Sequence, residues 1–222
     1  MGKVEEEHAF SLILKQLDKL KKGERLKIGI DIDNTAADTD QGLRKLLEER
    51  HGFDFGPSKK NATYYQRPAG MTDKHLTSAF DDVWNEKWKS ISPILSREAF
   101  LMLSERTDLS LVSARSEKSA KPLYSWVSHN YGKKAKLTIL NPKPFNMQGI
   151  MKLKEGYDIL IDDSPDVSGA MNHDLAKGKA LLLVDRWDEA LENRNPANTA
   201  VVANVEHAAD LIFEAHEIHN EL

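Results

Sequence analysis

Apolar residues recur at helical spacing near the start of the chain. Phe10, Ile13, Leu14, Leu17 and Leu20 share one face, so the pattern predicts an amphipathic helix over residues 5–22, with Gly23 able to end it. The run Leu26-Lys27-Ile28-Gly29-Ile30 then reads as a strand, ending in Asp31-Ile32-Asp33-Asn34-Thr35. Leu43, Leu46 and Leu47 predict a helix over 41–50. Residues 51–71 carry Gly52, Gly56, Pro57, Pro68 and Gly70 among aromatic residues, which marks an irregular excursion. Leu76, Phe80, Val83, Trp84 and Trp88 predict a helix over 72–89.

From Pro93 onward the pattern becomes regular. Helices are expected over 96–106, 118–131, 166–176 and 205–218. Strands are expected over 109–112, 137–140, 158–161 and 180–184, with a short one at Val201-Val202. Alternation of strands and helices implies βαβ units and a parallel sheet. The strands are nearly continuous apolar runs, as required when helices cover both sheet faces. The fold class expected is therefore α/β, a Rossmann-like parallel sheet with helices on both faces.

Composition narrows the function classes. The 222 residues hold no cysteine, which excludes disulfides, cysteine-ligated zinc and a cysteine nucleophile. The formal net charge is −4, from 31 Lys+Arg against 35 Asp+Glu, so a dedicated nucleic-acid surface is not expected. The first seven residues lack a basic leader and no apolar run approaches the roughly 20 residues a spanning helix needs, so the reading is cytoplasmic and not membrane-bound. The N-terminal helix either covers the core or mediates self-association, and homo-oligomerisation stays open.

Three predicted strands end in polar residues: Asp31, Asp33 and Asn34 after the first, Ser113-Ala114-Arg115 after the second, and Asp162-Asp163-Ser164 after 158–161. Open parallel sheets bind ligands beyond the carboxyl ends of their strands, so these distant residues should meet. Carboxylates gathered at one point repel each other, and a divalent cation resolves that repulsion. An oxygen-only ligand set suits Mg²⁺, which also tends to keep a substrate phosphate in its coordination sphere.

Asp31-Ile32-Asp33-Asn34-Thr35 resembles the DxDx[TV] first motif of the haloacid-dehalogenase-like phosphohydrolase superfamily. Val112-Ser113-Ala114-Arg115 resembles its second motif, and Ile159-Leu160-Ile161-Asp162-Asp163 its fourth. Asp31 to Asp38 is similar to the DMDGVLAD start of the 5′(3′)-deoxyribonucleotidase-like group, as are Ser92-Pro93-Ile94 and Asp185-Arg186-Trp187. The resemblance covers about residues 26–216. It departs at Asn34-Thr35, where that group usually has Gly-Val, and in the stretch 51–90.

The resemblance implies a Mg²⁺-dependent phosphomonoesterase, a 5′-nucleotidase acting on nucleoside monophosphates. Alternatives are another small phosphomonoester, a 3′-phosphate end, or a non-catalytic phosphate-binding module. Asp31 would be the nucleophile, forming an aspartyl-phosphate. Asp33 would protonate the leaving alkoxide and then activate water. Asn34, Ser113, Ala114 and Lys143 would bind substrate, with Lys152 as the alternative lysine. Asp31, the main-chain carbonyl of Asp33, Asp162 and Asp163 would hold the metal. The domains implied are an N-terminal helical extension (1–25), an α/β core (26–39 and 93–222) and a helical cap (40–92).

Blander readings compete at several positions. Asp163-Ser164-Pro165 also fits a helix start, with Pro165 in the first turn. Arg115 reads as the partner of a nearby carboxylate rather than a phosphate ligand. Trp84, Trp88, Phe80, Tyr64 and Tyr65 suit cap core better than a base-stacking platform, and Arg67 is a candidate anion contact. His8, His51 and His75 sit among polar residues and read as solvated.

Overall fold

The computed structural model describes residues 3–55, 68–115, 117–140, 156–172, 178–186, 191–192 and 194–221. Six parallel strands form one sheet: β1 (Lys27–Asp31), β2 (Asp108–Ser113), β3 (Leu137–Ile139), β4 (Ile159–Asp162), β5 (Ala180–Val184) and β6 (Thr199–Val202). Their spatial order is β3-β2-β1-β4-β5-β6. The chain builds outward from β1 in one direction, then returns to β4 and builds outward in the other. The β1/β4 boundary is thus the topological switch point, where open α/β sheets form their ligand crevice.

β4, β5 and β6 are buried along their whole length, which explains their unbroken apolar sequences. Helices α4 (Arg97–Arg106), α5 (Ala120–Tyr131), α6 (Pro165–Ala170) and α7 (Val205–Glu221) connect or follow the strands. Helix α1 (Lys3–Leu17) lies against β6 and α7, burying Ala9, Leu12, Ile13 and Leu17. It therefore covers the core. No helix among the described residues is long and apolar enough to cross a membrane.

Between β1 and α4 lie helices α2 (Thr39–His51) and α3 (Asp73–Lys87), packed on one another. Asp38 caps α2, its side chain accepting from the Gln41 N–H at 3.3 Å, and Gly52 ends the helix in the left-handed region. Gly42 sets how closely the two helices approach. A Cβ there would meet Val83 at 3.1 Å and Ile91 at 3.3 Å.

Two helices are shorter than their patterns predict. α1 stops at Leu17 rather than 22, because Lys19 and Leu20 donate three residues back, to Gln16 and Leu17, and tighten the chain into a turn. α6 ends at Ala170, and residues 173–176 of the expected 166–176 lie outside the described residues. The Met171 carbonyl accepts from the side chains of Asn195 and Asn198, and Met171-Asn172 form a turn.

Candidate active site

The register of the sheet brings the polar strand ends together. Asp31 closes β1 opposite Val112, one residue before Ser113, and Ile30 pairs with Ile161, one residue before Asp162. Carboxylate oxygens of Asp31, Asp162 and Asp163 lie within 4.8 Å of one another. Asp162 and Asp163 are buried, and Asp31 is half-buried. The Asp162 Oδ1 accepts from the Ser164 N–H at 2.9 Å, which helps fix its rotamer. Three acidic oxygens with no nitrogen or sulfur donor form a set suited to a hard divalent cation of the Mg²⁺ type.

The backbone after Asp31 doubles back on itself. The Ala36 N–H donates to the Asp31 carbonyl, the Ala37 N–H to that of Ile32, and the Asn34 N–H to that of Ala37. This turn needs a left-handed residue, and Asn34 supplies it at φ 63°. Asparagine tolerates that region better than most side chains. Its Oδ1 also accepts from the Asp40 N–H at 2.8 Å, tying the turn to the first turn of α2.

Asp33 is held by groups from the end of β2 and from α3. Arg115 grips it in a fork, Nε donating to Oδ2 at 2.8 Å and Nη2 to Oδ1 at 2.9 Å. The Trp84 indole N–H donates to Oδ1 at 3.0 Å. Burial pushes the Asp33 carboxyl upward, but the charge and hydrogen bonds of Arg115 with the Trp84 bond outweigh it, holding the group below the usual carboxylate range. The structural role expected of Arg115 is thus the arrangement observed. Ser113 is fully buried, and its Oγ accepts from the Arg115 N–H at 3.3 Å.

Some expectations fall elsewhere. Lys143 and Lys152, and likewise Tyr64, Tyr65 and Arg67, lie outside the described residues. Trp84 is wholly buried, edge-on to Trp126 at 5.6 Å, so its ring has no face for a base. His75 is a capping residue rather than a solvated one: its Nδ1 accepts from the Thr72 N–H at 3.1 Å, and its ring packs on His51 and Phe53.

Arg186 was not singled out by residue chemistry. It leaves the end of β5 and lies 3.7 Å from Asp38, 3.7 Å from Asp40 and 4.0 Å from Asp163. Asp40 is buried and also pairs with Arg44 at 2.7 Å, a contact that the i,i+4 spacing could have signalled. Asp38, Asp40, Arg44 and Arg186 line a cavity of about 420 Å³ beside the cluster. Thr35 joins cavity to cluster, its hydroxyl 3.4 Å from Asp163 Oδ1. Among the described residues, none that lines the cavity is aromatic.

Comparison with known proteins agrees with this geometry at the level of fold. No protein-family model matches the chain, and no curated protein does. Solved structures do match. A haloacid-dehalogenase-like family protein from Streptococcus pneumoniae superposes with a TM-score of 0.54 at 12% identity, over 90% of this chain and 99% of its own. A haloacid-dehalogenase-like hydrolase from Xanthomonas campestris gives 0.52 at 12% identity, over 90% and 100%. A provisionally named β-phosphoglucomutase from Bacteroides vulgatus gives 0.52 at 15% identity, over 96% and 99%. The chain has the haloacid-dehalogenase-like α/β fold, with its acidic residues at the switch point of that fold.

Proposed function

We propose that the chain is a Mg²⁺-dependent phosphomonoester hydrolase acting through an aspartyl-phosphate on Asp31. The observation that carries the reading is the convergence of Asp31, Asp162 and Asp163 at the switch point, within 4.8 Å of one another. Asp31, Asp162 and Asp163 would hold the cation, which when bound neutralises charge on the phosphoryl oxygens.

Asp31 attacks phosphorus and forms a P–O bond as the bond to the leaving oxygen breaks. The leaving oxygen takes a proton from Asp33. Water then attacks the phosphoryl group and gives a proton back to Asp33. The bond to Asp31 breaks and orthophosphate departs. Ser113, with Lys143 from outside the described residues, would bind phosphoryl oxygens, and helices α2 and α3 would belong to a cap.

The first motif's extension to Asp38 supports a nucleoside monophosphate as substrate. The charged and polar side chains that line the cavity, Asp38, Asp40, Arg44 and Arg186 among them, support a small, hydroxyl-bearing leaving group held by polar contacts, which a sugar phosphate also meets. Rates on nucleotides, sugar phosphates and 3′-phosphorylated oligonucleotides with Mg²⁺ test both levels. Hydrolysis abolished by EDTA and by Asp31→Asn supports the reading; inertness toward every ester overturns it.

A further inference from the structure

Asp33 is held from two directions by groups outside the acidic cluster. Oδ1 accepts from the Trp84 indole at 3.0 Å, from Arg115 Nη2 at 2.9 Å and from Arg115 Nε at 3.1 Å. Oδ2 accepts from Arg115 Nε at 2.8 Å. Three donors crowd the first oxygen, so the second keeps the lone-pair capacity to take a proton. Arg115 is itself locked. Its Nη1 donates to the Phe80 carbonyl, and its guanidinium carbon sits 5.0 Å from the Phe80 ring centroid and 5.8 Å from that of Trp84. Phe80 and Trp84 both belong to α3, whereas Arg115 follows β2. The orientation of Asp33 is therefore set jointly by the end of β2 and by α3.

We propose that Arg115 and Trp84 are positioning residues that present Oδ2 of Asp33 to the water that releases the phosphoryl group from Asp31. The inference rests on the phosphatase reading above and deepens it. In this step the water oxygen forms a bond to phosphorus, the P–O bond to Asp31 breaks, the water proton passes to Asp33 Oδ2, and orthophosphate leaves. Loosening the fork slows this step more than the first. With an aryl phosphate the contrast is sharpest, because a phenolate leaves without a proton and the first step makes no demand on Asp33.

The test uses Trp84→Phe, which keeps an aromatic ring but removes the N–H, and Arg115→Lys, which keeps the charge but cannot form the fork. With p-nitrophenyl phosphate and Mg²⁺, both variants should show a burst of phenolate approaching one per enzyme, followed by turnover slowed about tenfold, a part of the roughly 10²–10⁴-fold that general acid–base catalysis supplies, because Asp33 itself is kept. Acid-quenched variant should carry phosphate on Asp31, and kcat and KM should fall together. Folding of each variant is checked by circular dichroism, and either one suffices. Slower turnover with no burst and no phosphoenzyme, in a folded variant, overturns the inference while leaving the phosphatase reading intact. A wild-type enzyme inert toward every phosphomonoester overturns both.

Discussion

The acidic cluster stores repulsion that a single isosteric change should release. At 4.8 Å and an effective dielectric near 20, each carboxylate pair repels by about 3.5 kcal/mol. Asp162→Asn removes two of the three pairs and keeps the Oδ1 that accepts from Ser164. Arg186, 4.0 Å from Asp163, offsets part of the repulsion in the wild type. The net gain expected for the variant without metal is about 1–3 kcal/mol, or a rise of about 2–12 °C in Tm for a chain of this length. Thermal unfolding followed by circular dichroism in EDTA measures it. Mg²⁺ at about a hundred times its Kd should then stabilise the wild type by about 2.7 kcal/mol and the variant much less, reversing the order. A variant less stable than wild type in EDTA, together with a wild-type Tm indifferent to Mg²⁺, would refute the charge-cluster reasoning.

Other outcomes follow from the same geometry. Asn34→Ala should lose about 1–2 kcal/mol in denaturant titrations, because it gives up both the Asp40 contact and a tolerated left-handed conformation; Asn34→Gly should lose less. Leu182→Ala, in the fully buried β5, should cost about 2–5 kcal/mol by the same titration. His216 has its pKa lowered by burial and by Arg106, His219 and Arg25, and its Nε2 has no hydrogen-bond partner among the described residues. The folded state thus prefers neutral imidazole, so stability is full above the unfolded pKa of about 6.5 and falls as pH drops below it. Chemical denaturation between pH 5 and 7 should show that slope in the wild type and a flatter one in His216→Gln.

The sheet and the acidic ends of its strands were legible because burial on both faces leaves continuous apolar runs, and a polar residue at such an end stands out. Asp31, Asp162 and Asp163 could be placed together once the sheet was taken as parallel. Helix ends were less legible: α6 ends where Asn195 and Asn198 reach across to the Met171 carbonyl, a contact spanning more than twenty residues. Arg186 stood in the sequence only within Asp185-Arg186-Trp187, with no role of its own, for a related reason. An arginine after a strand has no periodicity, and its meaning comes only from Asp38, Asp40 and Asp163 arriving beside it. The aromatic residues of 72–89 read correctly as packing, but the additional task of the Trp84 N–H on Asp33 depends on a separation of 51 positions that no local pattern encodes.

The central claim is that Asp31 attacks phosphorus. The most direct measurement is mass spectrometry of the Asp31-containing peptide from enzyme acid-quenched during turnover of a phosphomonoester. The account predicts a phosphoryl group on Asp31, present with Mg²⁺ and absent in Asp31→Asn. Sustained hydrolysis with Asp31 unmodified, or with the phosphoryl group on another residue, would contradict it.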